Sequence, residues 1–99
     1  MYANPCSLDF LSMAGHIEDT ASNSTMAAAN MRKIIDNLYY MAAIELMHAA
    51  QAVDLREIPQ LGEGTRPLFE SYRKEVPYLD NDRNMSVDIQ KTYDFLKSL

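Results

Sequence analysis

The residues of this sequence suited to chemistry fall in two places. His16, Glu18 and Asp19 sit within four positions of one another, just ahead of a long alanine-rich run. A carboxylate held at the mouth of a helix beside a pocket can act as a general acid or base. Acids at a helix start also stabilise the macrodipole, and on pattern alone that role suffices. The second place is Glu45 and His48, a Glu-x-x-His spacing on one helical face. Four-helix di-iron proteins use this arrangement twice, together with two further glutamates. Only one such pair occurs here, so a metal site would require self-association across a two-fold axis. The preferred reading has no metal: Glu45 pairs with a cation or amide of a neighbouring helix and His48 packs against it. Glu45 is the one acid in a strongly apolar run, and burying it unpaired would be costly.

Other chemistries find little support. Cys6 lies in an extended segment between Pro5 and Ser7, with nothing nearby to lower its thiol pKa. The serines have no nucleophile-elbow context, and no glycine-rich phosphate loop occurs. Nine Lys and Arg against fourteen Asp and Glu give a net charge of −5, with the basic residues scattered, which argues against nucleic-acid binding through phosphates. A single cysteine makes no internal disulfide and no zinc framework, which suits a cytoplasmic location. Residues 1–5 carry neither a basic n-region nor an apolar h-region, so no signal peptide is expected. The most apolar stretch, residues 38–53, is interrupted by Glu45, His48 and Gln51, which argues against a membrane span.

The elements that would position these residues are helical. Ninety-nine residues suffice for one small domain, and residues 1–99 read as a single helical segment. All four prolines and all three glycines lie outside Thr20–Val53, and nine of the 34 residues in that span are alanine. One long helix over Thr20–Val53 is predicted, with its cap somewhere in the polar run Glu18–Thr25. Its apolar residues form two stripes: Ile35, Tyr39, Ala42, Leu46, Ala49 and Val53, and then Ile34, Leu38, Met41, Ile44 and Met47. Together they cover most of the circumference, and such a helix must be buried by neighbours. Only two short amphipathic pieces follow. The first starts at Thr65 with Leu68, Phe69, Tyr72 and Val76; the second is capped by Ser86 and carries Ile89, Tyr93 and Leu96, with Asp88 in its first turn. They are too short to enclose the long helix. The expected fold is therefore all-α, one long central helix followed by short C-terminal helices, forming part of an oligomeric helical bundle whose missing partners are other subunits or further sequence.

Taken as a set, these residues resemble a known family. Pro5-Cys6-Ser7-Leu8-Asp9, Glu18-Asp19, Ala43-Ile44-Glu45-Leu46, Ala49-Ala50-Gln51-Ala52-Val53-Asp54-Leu55-Arg56, Asp82-Arg83 and Asp88-Ile89 are similar to the C-terminal portion of histidine ammonia-lyase. The resemblance covers nearly the whole chain and is most specific from Ile44 to Arg56. It implies non-oxidative deamination of L-histidine to urocanate and ammonia. It also implies a methylidene-imidazolone prosthetic group made from an internal Ala-Ser-Gly. No Ala-Ser-Gly occurs in these 99 residues, so no cofactor is expected in this chain and the group belongs to the full-length enzyme. The isolated chain is expected to be inactive, with the remainder of the lyase chain and further copies as its partners.

By the same resemblance Glu18 is carried over as the catalytic residue. With His16, it would also contact the substrate. Phenylalanine and tyrosine lyases usually place an amide at the position of Glu18, and a carboxylate can exchange a proton with an imidazole. The chain departs from the family in reading His16-Ile17 where Asn-Gln is common, and in having Thr20 where a histidine is usual. These changes leave open a tyrosine or phenylalanine substrate, or an aminomutase reaction. A rival reading of another class is a stand-alone helical assembly protein that keeps the lyase tail without its chemistry.

Overall fold

The computed structural model describes residues 2–5, 23–56 and 60–99. The described elements are three helices: α1 (Ser24–Asp54), α2 (Thr65–Glu75) and α3 (Met85–Ser98). The chain divides into two units, Met1–Asn37 and Leu38–Leu99. Among the described residues there is no strand, as the all-α expectation requires.

The long helix starts inside the polar run Glu18–Thr25 expected to cap it. Asn23 adopts a positive φ of 48°, and its carbonyl accepts the Ala27 N–H at 2.9 Å, so the helix starts at Ser24. Asparagine tolerates this left-handed conformation because its short polar side chain bonds locally. The predicted first residues, Thr20–Ser22, lie outside the described residues. In the same unit, Lys33 Nζ sits 4.6 Å from the centre of the Tyr2 ring.

In the second unit the two fully buried residues of α1 are alanines. Ala43 and Ala50, two turns apart, are buried, and Ala50 joins Tyr72 and Val76 in a core flanked by Leu46, Met47, Phe69 and Phe95. Neither buried alanine lies on the two predicted stripes. Leu46 and Met47, one from each stripe, pack beside Ala50 against the same cluster. Leu38, Met41 and Ile44 remain 54%, 60% and 42% exposed, which agrees with the expectation that this chain cannot enclose α1.

α2 begins at Thr65, as predicted. Its first amides are satisfied by the Gly62 carbonyl, which accepts from Thr65 N at 3.1 Å and Arg66 N at 3.0 Å. It ends at Val76, which is extended as a residue before proline should be. α3 is capped by Asn84 and not by Ser86: the Asn84 side-chain oxygen accepts from Ser86 N at 3.1 Å and from Ser86 Oγ at 2.7 Å. Ser86 is two residues past the cap and serves as its donor. α2 and α3 meet through an edge-to-face contact between Tyr72 and Phe95, with ring centres 5.5 Å apart.

Candidate functional site

The densest polar structure in the second unit surrounds the junction of the C-terminal half of α1, the C-terminal end of α2 and the start of α3. A cavity of about 90 Å³ lies there, with Met47, Gln51, Tyr72, Leu79, Arg83 and Asp88 among its lining residues. That is well below the roughly 300 Å³ at which small-molecule pockets begin. It can hold a few atoms, not an amino acid.

Most polar groups at this junction are fixed by their neighbours. Gln51 donates from Nε2 to the Leu79 carbonyl at 2.9 Å and accepts the Leu79 N–H on Oε1 at 3.1 Å. Arg83 donates from Nε to Asp88 Oδ2 at 2.7 Å, from Nη1 to the Tyr78 carbonyl at 3.0 Å and from Nη2 to the Pro77 carbonyl at 2.8 Å. Asp88 is 4% exposed, so this guanidinium is the counter-charge of a buried carboxylate. Thr92 Oγ1 donates to the Asp88 carbonyl at 2.7 Å and lies 3.0 Å from the Tyr72 hydroxyl. Burial pushes the Tyr72 phenol above its ordinary pKa, with the Thr92 hydrogen bond acting the other way. Arg73 Nη2 approaches Asp54 Oδ2 at 2.5 Å, an ion pair without hydrogen-bond alignment, while its Nη1 donates to the Val76 carbonyl at 3.1 Å. This is the chemistry of a structural joint. No group in it is left poised as a nucleophile or base.

A second cluster joins α1 to α3. The Tyr40 and Tyr93 rings stack at 4.3 Å, Tyr39 meets Tyr93 edge-on at 6.1 Å, and the Tyr40 hydroxyl donates to Gln90 Oε1 at 3.0 Å. Lys97 donates to the Tyr93 hydroxyl and lies over the Tyr39 ring.

Of the residues singled out from sequence, His16, Glu18, Asp19 and Cys6 lie outside the described residues. Glu45 is exposed on α1, so this chain does not bury it unpaired. The His48 Nδ1–H donates to the Ile44 carbonyl one turn back, at 2.8 Å, and His48 lines the cavity. Among the described residues no three His, Cys, Asp or Glu side chains come close enough to hold a metal ion. Sequence reasoning missed Gln51, Tyr72, Arg83 and Thr92 as a polar joint. A signal was available only for Arg83, five residues ahead of an acid in the first turn of a helix.

Known proteins match this chain closely. The family described as aromatic amino acid lyase matches residues 1–74. Histidine ammonia-lyase of Alkaliphilus metalliredigens is 39% identical over 89 residues, covering 90% of this chain and 18% of that one. Ergothionase from Treponema denticola, an ergothioneine-degrading enzyme solved with desmethyl-ergothioneine sulfonic acid, is 48% identical. It has a TM-score of 0.90 and is matched over 98% of this chain and 20% of its own. Histidine ammonia-lyase from Trypanosoma cruzi is 29% identical, also with a TM-score of 0.90, over 98% of this chain and 19% of its own. The chain belongs to the aromatic amino acid lyase family, as a C-terminal piece of it. It spans about a fifth of the length of these relatives.

Proposed function

We propose that this chain is the C-terminal part of a carbon–nitrogen lyase acting on an amino acid with an imidazole ring, in the first place L-histidine, giving urocanate and ammonia. The observation that carries this reading is identity along nearly the whole chain with enzymes named for imidazole substrates. Glu18 fits such a substrate, since its carboxylate can accept a proton from an imidazole. The methylidene-imidazolone electrophile would come from outside these residues. No Ala-Ser-Gly is present in these 99 residues. The role of the described residues would be architectural. The uncovered side chains of Leu38, Met41 and Ile44 would be enclosed by the rest of the lyase chain or by further copies. Among the described residues no helix is long and apolar enough to cross a membrane, in keeping with a cytoplasmic enzyme.

The 48% identity to ergothionase favours a second reading, in which the substrate is ergothioneine, the trimethylammonium betaine of a thiol-bearing histidine. The same elimination would then release trimethylamine in place of ammonia. One assay separates the two. The full-length protein is supplied with L-histidine, ergothioneine, tyrosine or phenylalanine, and both the conjugated acrylate and the released amine are measured. Turnover of histidine with ammonia supports the first reading. Turnover of ergothioneine alone, with trimethylamine, replaces it with the second. Activity confined to tyrosine or phenylalanine defeats both.

A further inference from the structure

Between Val76 and Asn84 the backbone is held largely by side chains. At the start, Arg73 donates to the Val76 carbonyl. At the end, Arg83 binds the Pro77 and Tyr78 carbonyls while paired to Asp88. These two arginines fasten the segment to α2 and α3. Its attachment to α1 is different: the Gln51 amide alone binds both polar groups of Leu79, at 2.9 and 3.1 Å. A primary amide offers an acceptor and a donor side by side, so Gln51 meets the Leu79 main chain as a neighbouring strand would. A carboxylate has no proton to give the carbonyl, and an ammonium has no lone pair for the N–H. Gln51, Pro77, Leu79 and Arg83 all line the 90 Å³ cavity, with Tyr72 and Met47.

We propose that residues 77–83 form a flap over this cavity, that the Gln51–Leu79 pair is its latch, and that the flap opens locally while α2 and α3 stay folded. Opening breaks two hydrogen bonds to α1 and frees the half-buried Leu79 side chain. Detaching α3 would also break the Tyr72–Thr92 and Tyr40–Gln90 hydrogen bonds and the Tyr40–Tyr93 stack. The flap seam is the weaker of the two, and local openings follow the weakest seam.

Hydrogen exchange in the full-length protein tests this. In the wild type, the Leu79 amide should exchange at a rate insensitive to low urea, while amides of residues 89–96 exchange faster as urea is added. Gln51→Met should accelerate exchange of residues 78–83 about tenfold or more, the factor expected for one to two net hydrogen bonds, and leave α2 and α3 unchanged. Gln51→Glu should accelerate it at neutral pH. Corrected for intrinsic exchange, that acceleration should shrink toward the ordinary carboxyl range, where protonation restores a donor. A Leu79 amide whose urea dependence equals that of α3 overturns the proposal, as does an acceleration spread evenly over α2 and α3. Should Gln51→Met not fold, the wild-type urea dependence decides by itself.

Discussion

Tyr72 on α2 and Thr92 on α3 place their hydroxyl oxygens 3.0 Å apart, and neither residue exposes any surface to solvent. Thr92 has one proton and directs it to the Asp88 carbonyl, so the Tyr72 hydroxyl is the donor between them. The direction of this short chain makes the two partners unequal. Thr92→Val strands a buried O–H and should cost about 1–3 kcal/mol, whereas Tyr72→Phe leaves Thr92 bonded to Asp88 and should cost about 1 kcal/mol. The double variant should lose less than the sum, because the stranded donor is gone. Urea unfolding of the wild type and the three variants checks the order, and equal single costs would contradict the assigned direction.

The same tyrosine sets an alkaline limit. Burial raises its pKa above 10.0, with Asp88 acting in the same sense and the Thr92 hydrogen bond, Arg73 and Arg83 opposing. Above pH 10 the unfolded chain gives up this proton before the folded one does. The folded state then binds more protons, so stability falls as pH rises from the unfolded pKa through the raised folded value, and is unaffected below it. Tyr72→Phe should flatten that alkaline limb. Unfolding midpoints of both proteins across the window test it, and two parallel curves would place the loss elsewhere.

Arg83 joins three acceptors that only a guanidinium fork can reach together. Arg83→Met leaves the buried Asp88 carboxylate without its counter-charge and the Pro77 and Tyr78 carbonyls without a donor, at a cost of about 3–5 kcal/mol. Arg83→Lys keeps the charge and loses the fork, so its cost should fall between that and zero. Calorimetric unfolding should rank them wild type, Lys, Met. A lysine variant as stable as the wild type would show that the two carbonyl bonds contribute nothing.

The helices were legible in the sequence because punctuation and periodicity are local. Proline and glycine placement bounded α1, Thr65 opened α2, and the Ile89, Tyr93, Leu96 spacing located α3. The cap of α3 was misplaced: the helix begins at Met85, so Asn84 precedes its first turn and Ser86 falls within it. Leu46 and Met47, one from each stripe, do pack on the core, but counting large apolar residues does not single out Ala43 and Ala50, the two buried residues of α1. The polar joint was illegible for a different reason. Gln51 and Leu79 are 28 residues apart and Tyr72 and Thr92 are 20 apart, so no spacing rule connects them before the helices are docked.

The tyrosine cluster allows stacking and hydrogen bonding to be separated at one residue. Tyr40→Phe keeps the stack on Tyr93 and loses only the exposed bond to Gln90, so about 0.5–1 kcal/mol is expected. Tyr40→Ala loses both, adding about 0.5–1.5 kcal/mol for the aromatic pair beyond the buried area lost. Urea midpoints distinguish the two. A phenylalanine variant as damaged as the alanine one would mean that the hydroxyl, and not the ring, holds α3 to α1.

The last prediction concerns Glu18, whose proposed role is chemical and not architectural. Glu18→Gln preserves size and hydrogen-bonding capacity while removing the ability to take up a proton. If the carboxylate exchanges a proton with an imidazole, kcat on histidine or ergothioneine in the full-length protein should fall about a hundredfold or more, with KM little changed. Any residual activity on phenylalanine should be unaffected, since that ring has no proton to exchange. His16→Asn, which restores the amide common in the family, should leave imidazole turnover intact or raise it. Steady-state kinetics of both variants on all three substrates supply the contrast. A Glu18→Gln enzyme that keeps its kcat on the imidazole substrate would remove Glu18 from the proton transfers of the reaction.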